Sequence, residues 1–178
     1  MNKYIYHRVV DNMQGNILYP LNQLKNIYPE AYATHLKKYE KREHLLSTKI
    51  PMLNCLWNDV LHFTAIHPKT LFENLDKSGF NADELIWKRW FEIPIEALDP
   101  ENTIVCLYRR DVSIIPQARD FHRFDSNKFS EYATVPPETI EYYKRQKAAS
   151  ARPLFFHRVP HILYKGTIDT TGFRIIEV

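Results

Sequence analysis

Glycine is scarce in this sequence, with four residues among 178. Neither a Walker A nor a G-x-G-x-x-G pattern occurs, so P-loop and Rossmann chemistry have no sequence support. Cysteine is scarcer still. Cys55 and Cys106 stand alone inside apolar stretches, which reads as two buried thiols of a reducing compartment and not as a disulfide framework. The absence of C-x-x-C and H-E-x-x-H removes the usual zinc-finger and metalloprotease readings. No run approaches the roughly 18 apolar residues of a transmembrane helix. The opening Met-Asn-Lys-Tyr-Ile-Tyr-His has no apolar core of a signal peptide, so the expected location is the cytoplasm, with no membrane partner. Charge of one sign does not dominate either. Lys and Arg total 24 against 21 Asp and Glu, a net +3 that permits a polyanionic partner without demanding one.

What is present is an ordinary globular composition, 44% apolar and 13% aromatic, in a chain sized for a single domain spanning 1–178. Tyr4–Val10 reads as a strand. Apolar spacing from Met13 to Leu24 predicts a helix, interrupted at Pro20. Pro29–Ser47 predicts a solvated amphipathic helix rich in Lys and Arg. Strands are expected at Val60–Ile66, Trp87–Ile95, Thr103–Arg109, Phe129–Val135, Pro153–Arg158 and His161–Tyr164. Further helices are expected at Thr70–Lys77 and Glu138–Lys147. Arg110–Lys128 reads as a long polar loop, and loops of that length are often functional. Strands weighted to the second half and short helices to the first make an α+β domain.

Histidine is the residue type to weigh first, with eight copies. An aromatic-His-Arg triplet occurs three times, at Tyr6-His7-Arg8, Phe121-His122-Arg123 and Phe156-His157-Arg158. No histidine pair has convincing metal-ligand spacing on a helix, and no metal is expected. The two-residue period of Tyr4–Val10 places Ile5, His7 and Val9 on one face and Tyr4, Tyr6 and Arg8 on the other. Only one of His7 and Arg8 is therefore expected to face a given cleft. His62 and Thr64 share a strand face that is either solvated or the wall of a polar cleft. Glu131 falls on an otherwise apolar face of its expected strand, just after the long loop. It is either a catalytic carboxylate or a charge guarding a sheet edge.

Three segments together resemble the ADP-ribosyltransferase superfamily. Tyr6-His7, followed by Asn12 and Ile17-Leu18, resembles the first strand and helix of its His-containing branch and of DarT-like toxins. Asp59–Pro68 resembles its middle strand, and Ser130-Glu131-Tyr132 through Val135-Pro136 resembles the strand carrying the catalytic Glu. The resemblance implies two packed, antiparallel-rich sheets around an NAD cleft, with a few short flanking helices. It implies NAD as substrate and Glu131 as the carboxylate that stabilises positive charge on the ribose as nicotinamide leaves. His7 would anchor NAD, with Arg8 its competitor for that place. Asn12, His62 and Thr64 would hold the amide or adjoining hydroxyls, and Tyr6 or Phe63 would stack on the ring. Arg110–Lys128 would meet the acceptor.

Phe129 departs from the family, many of whose protein-modifying members carry Glu or Gln two residues before the catalytic Glu. A nucleic-acid acceptor, a protein acceptor and plain NAD hydrolysis all stay open, as does an antitoxin or immunity partner. Two rival readings stand beside the transferase. One is a non-catalytic nucleic-acid-binding module using the basic stretches Lys37–Arg42 and Lys144–Arg152. The other is an RNA phosphotransferase on the same fold, which needs several basic residues converging on a phosphate.

Overall fold

The computed structural model describes residues 3–11, 13–81, 84, 88–107 and 116–178. Alternating side chains make β1 (Tyr4–Arg8) an extended strand, as its pattern predicts. The helix expected from Met13 does not form. Gly15 adopts φ 70°, a left-handed conformation that glycine tolerates, and turns the chain before β2 (Ile17–Leu18). Pro20 then caps the start of α1 (Leu21–Ile27) in place of breaking a longer helix. α2 (Pro29–Leu36) begins at its proline as expected but stops at Leu36. Beyond it the expected helix is replaced by 3-10 turns at Lys37–Tyr39 and Glu43–Ser47, with Lys41 left-handed between them.

A small ribbon, β3 (Lys49–Ile50) with β4 (Cys55–Leu56), leads through a 3-10 turn at Trp57–Asp59 into β5 (Leu61–Phe63). Next come α3 (Pro68–Lys77), β6 (Arg89–Pro94) and β7 (Thr103–Cys106), close to their expected positions. Residues 108–115 of the expected loop and its flank lie outside the described residues. Its later part is not all loop, because β8 (Phe121–Arg123) pairs with β7. Phe129–Val135 is not a strand. Asp125 accepts a hydrogen bond from the Asn127 amide at 2.9 Å and starts a 3-10 turn at Ser126–Lys128, which runs directly into α4 (Phe129–Tyr132). Then follow α5 (Pro137–Ala148), β9 (His161–Tyr164), β10 (Ile168–Asp169) and β11 (Arg174–Glu177).

Pro153–Arg158 is a turn segment and not a strand, because α5 side chains take its backbone groups. The Tyr143 hydroxyl donates to the Phe155 carbonyl, Thr139 Oγ1 donates to the His157 carbonyl at 3.0 Å, and the Leu154 amide donates to the Tyr142 hydroxyl at 2.9 Å.

The result is α+β. β1-β6-β11 form one antiparallel sheet and β5-β9-β7-β8 another, with β10-β2 and β3-β4 as two-stranded ribbons. Ile5, Phe91 and Ile93 of the first sheet share a core with Phe63, Val105 and Ile162 of the second. The far face of the first sheet, at Tyr6, Trp90 and Ile176, packs on α3 and α5 through Leu71, Leu75 and Tyr143. The far face of the second, at Ile104, Cys106 and Leu163, packs against Leu21, Tyr39 and Trp57. Each fully buried large side chain stabilises this stack by roughly 1.5 to 3 kcal/mol. Among the described residues the sheets are joined by a bridge in which Tyr6 of β1 pairs with Thr64, the residue after β5. Cys55 and Cys106 are free thiols. Among the described residues no helix is long and apolar enough to cross a membrane.

Candidate functional site

The seam between the sheets opens into a cleft of about 1120 Å³. One wall is made by the end of β1 and by β5, and the other by α1, α2 and the 3-10 turns that follow. The segment before β9 closes one end. Tyr6, His7, Arg8, His62, Phe63 and Thr64, six of the residues singled out from the sequence, all line it. Asn12 lies outside the described residues. His7 and Arg8 were expected to exclude one another, yet both line the cleft. Their strand register is regular, His7 opposite Phe91 and Arg8 opposite Trp90, but β1 ends at Arg8 and the cleft wraps around that end.

Six of the eight histidines line this one cleft: His7, His35, His44, His62, His157 and His161. Burial pushes His7 down to about 4, helped by the charges of Arg8, Lys38 and His35. Burial, and then the neighbouring His161, push His62 down to about 3. Burial alone brings His161 to about 4. These imidazoles are therefore neutral at pH 7. His7 Nδ1 lies 2.7 Å from the Arg8 carbonyl, which can only accept, so Nδ1 carries the proton and Nε2 is a bare acceptor. The same reasoning applied to His62, whose Nε2 donates to the Trp57 carbonyl at 2.9 Å, leaves its Nδ1 as the acceptor. Among the described residues no group of three or more His, Cys, Asp or Glu is placed to hold a metal ion.

Tyr6 and Phe63 do not present open ring faces. Tyr6 packs edge-on against His67 at 5.0 Å with its hydroxyl 3.5 Å from Glu92, on the α3 side of its sheet. Burial, followed by Glu92, raises its hydroxyl to about 12. Phe63 is 1% exposed and backs His7 edge-on, with centroids 5.6 Å apart. The half-exposed Tyr and Phe rings of the cleft are Tyr19 and Tyr28, paired edge to face at 6.2 Å, and Phe156. Nothing in their spacing singles out Tyr19 and Tyr28 among eleven tyrosines.

Asn58 was also missed. It lines the cleft and is 2% exposed, yet both its amide nitrogen and its amide oxygen have no hydrogen-bond partner among the described residues. A buried donor and acceptor left unpaired cost about 1 to 3 kcal/mol each, which marks a position where a partner is wanted.

Glu131 does not line the cleft. It is exposed on α4 and borders a separate hollow of about 300 Å³ with His122, Arg123, Asp125 and Lys128. The strand that was to carry it into the cleft is a helix, so its expected facing does not apply. Among the described residues the carboxylates lining the cleft are Asp11, three residues beyond Arg8, and Glu30 of α2. Comparison with family models, with curated proteins and with solved structures finds no match to this chain.

Proposed function

We propose that the protein is a mono-ADP-ribosyltransferase that takes NAD into this cleft and passes ADP-ribose to a macromolecular acceptor. The observation that carries the reading is the convergence of His7 and Arg8 from β1 with His62, Phe63 and Thr64 at β5 on one cleft large enough for a dinucleotide. In this reading Arg8 meets the pyrophosphate and the bare Nε2 of His7 accepts a hydrogen bond from a ribose hydroxyl. Asn58 offers a donor and an acceptor to the nicotinamide carboxamide, whose own donor and acceptor are complementary. Tyr19 and Tyr28 offer ring faces to a base.

The reaction breaks the bond between the ribose C1″ and the nicotinamide nitrogen. Its electron pair leaves with nicotinamide, which becomes neutral, while an acceptor oxygen or nitrogen bonds to C1″ and releases any proton it carries to water. Positive charge builds on the ribose in the transition state, as in glycoside hydrolysis, and a carboxylate beside it lowers the barrier. We assign that part to Asp11, which borders the cleft, in place of Glu131.

Turnover of nicotinamide-labelled NAD by wild type, Asp11→Asn and Glu131→Gln tests this assignment. The expected result is a loss of at least about 100-fold for Asp11→Asn with Glu131→Gln near wild type. Loss in Glu131→Gln with Asp11→Asn intact returns the role to Glu131. Wild type that neither binds nor cleaves NAD removes the transferase reading.

A further inference from the structure

The wall facing β1 carries charge that NAD leaves unmatched. Among the described residues the cleft is lined by five cations, Arg8, Lys38, Lys41, Arg42 and Arg158, against the two carboxylates Asp11 and Glu30. Four of the five come from outside the strand wall. Lys38 stands on the 3-10 turn after α2, and Arg42, the residue just before the next turn, donates to the Lys38 carbonyl, which fixes it beside the lysine. His35, one turn before Lys38, completes a contiguous edge.

These groups feel one another. The Lys38 side chain is exposed to the cleft but enclosed by its walls. That enclosure, with Arg8 and then Arg42, pushes the ammonium down to about 8. His35 is pushed down by burial and by Lys38 and Arg8. Like charges crowded on one concave wall weaken the fold and strengthen the field on an entering anion.

The backbone points the same way. Lys41 and Arg158, both on the cleft, adopt φ 65° and φ 59°. Left-handed conformations are uncommon for side chains of this kind, and such strain clusters at binding sites.

The pyrophosphate of a dinucleotide brings about two negative charges, which Arg8 and Arg158, neither of them on the Lys38 edge, match. Lys38 and Arg42 then stand ready for a further doubly charged group, with the imidazole of His35 beside them as a hydrogen-bonding neighbour. We infer that the edge formed by His35, Lys38 and Arg42 is a second anion subsite, which holds a phosphate ester of the acceptor. This rests on the reading that NAD occupies the strand wall, and it specifies the acceptor as phosphorylated.

Equilibrium binding to the full chain tests it with three probes: a 5′-phosphorylated single-stranded oligonucleotide, the same strand with a 5′-hydroxyl, and a nucleoside monophosphate. The phosphorylated strand is expected to bind at least about tenfold tighter than the hydroxyl-ended one, the yield of one added charge-assisted contact set. Lys38→Ala/Arg42→Ala is expected to abolish that preference and to make the log-affinity against log-salt slope shallower by about 1.4. NAD affinity, read by calorimetry, is expected to stay within about twofold. Lys38→Met, which keeps the apolar stem, reports the same loss should the double variant not fold.

A phosphorylated strand that outbinds the monophosphate assigns the site to nucleic-acid ends, and equal binding assigns it to free nucleotides. Equal affinity of wild type and both variants for the phosphorylated strand overturns the subsite. Failure of wild type to bind NAD while the phosphate preference persists overturns the dinucleotide reading and leaves the subsite standing.

Discussion

Tyr6 and Thr64 exchange backbone hydrogen bonds across the seam of the two sheets. The Tyr6 amide donates to the Thr64 carbonyl at 2.7 Å, and the Thr64 amide donates to the Tyr6 carbonyl at 3.2 Å. This bridge sets β1 beside β5, and so brings His7 against Phe63. Thr64 is further fixed by its own hydroxyl, which accepts from the Ile66 amide at 3.0 Å in a buried setting.

Removing that hydroxyl leaves the Ile66 amide buried and unpaired. Thr64→Ala is therefore expected to destabilise the protein by about 1 to 3 kcal/mol, a melting temperature lower by roughly 3 to 10 °C. Thr64→Ser is expected to recover most of it. Thermal unfolding followed by circular dichroism measures both, and an unchanged midpoint for the alanine variant shows that the hydroxyl does not secure the turn.

The neutral histidines make stability depend on acid. His7, His62 and His161 titrate near 4, 3 and 4 in the folded chain, below the unfolded value of about 6.5. Above pH 6.5 neither state holds these protons and the native form keeps its full advantage. Between about 6.5 and 4 the unfolded chain binds protons that the folded chain excludes, so stability falls as pH falls. Urea midpoints at pH 7.5, 6.0 and 4.5 are expected to drop steadily, and flat midpoints across that series contradict neutral burial of the three rings.

Anion affinity has its own pH signature on the opposite side. Lys38 faces Arg8 and His7 of β1, His35 of α2 and Arg42, with Asp11 and Glu30 on the same cleft, and it titrates near 8. A phosphate monoester is already doubly charged above about pH 7. Binding of the phosphorylated strand is therefore expected to weaken from pH 7 to 9 as Lys38 loses its proton, with proton uptake on binding near pH 8. Lys38→Met is expected to bind weakly with little pH dependence over that window. Calorimetry in two buffers of different ionisation enthalpy reads the uptake, and a steep decline retained in Lys38→Met assigns the titration to another group.

Asn58 separates stability from recognition. Replacing its unpaired buried amide by an apolar side chain of similar size removes a desolvated group, so Asn58→Leu is expected to hold or raise stability by up to about 1 kcal/mol. NAD affinity is expected to fall about tenfold or more. Chemical denaturation and calorimetry on the same sample measure the two effects, and undiminished NAD binding excludes Asn58 from the site.

The strand wall was legible in the sequence because β1 and β5 are written in alternating apolar and polar residues, the period a strand imposes. That pattern draws attention to His7, Arg8, His62 and Thr64, though it lets only one of His7 and Arg8 face a cleft and leaves the His62 and Thr64 face either solvated or cleft-lining. Phe129–Val135 misled because its aromatic and small residues fit a strand. The opposing signal was local: the Asp125 turn that feeds straight into α4, and Thr134 Oγ1 donating to the Ser130 carbonyl at 2.8 Å. Pro153–Arg158 also fits a strand in composition, but tyrosine and threonine side chains a dozen or more residues away hold it as a turn. The cationic edge was legible only as a basic stretch, Lys37–Arg42, on a solvated helix or as support for a nucleic-acid-binding module, and only the fold puts Lys38, Lys41 and Arg42 on the same cleft as β1.

The cleft's two sides are chemically unlike, with neutral imidazoles, ring edges and the one guanidinium of Arg8 along the strands, and Lys38, Lys41 and Arg42 together along the turns after α2. A guest with one planar end and one ionised end meets a polarity it has to match, so head-to-tail reversal is penalised before any close fit is made. On the proposed reading the pocket would align its guest, the field selecting the direction of entry and shape the final pose.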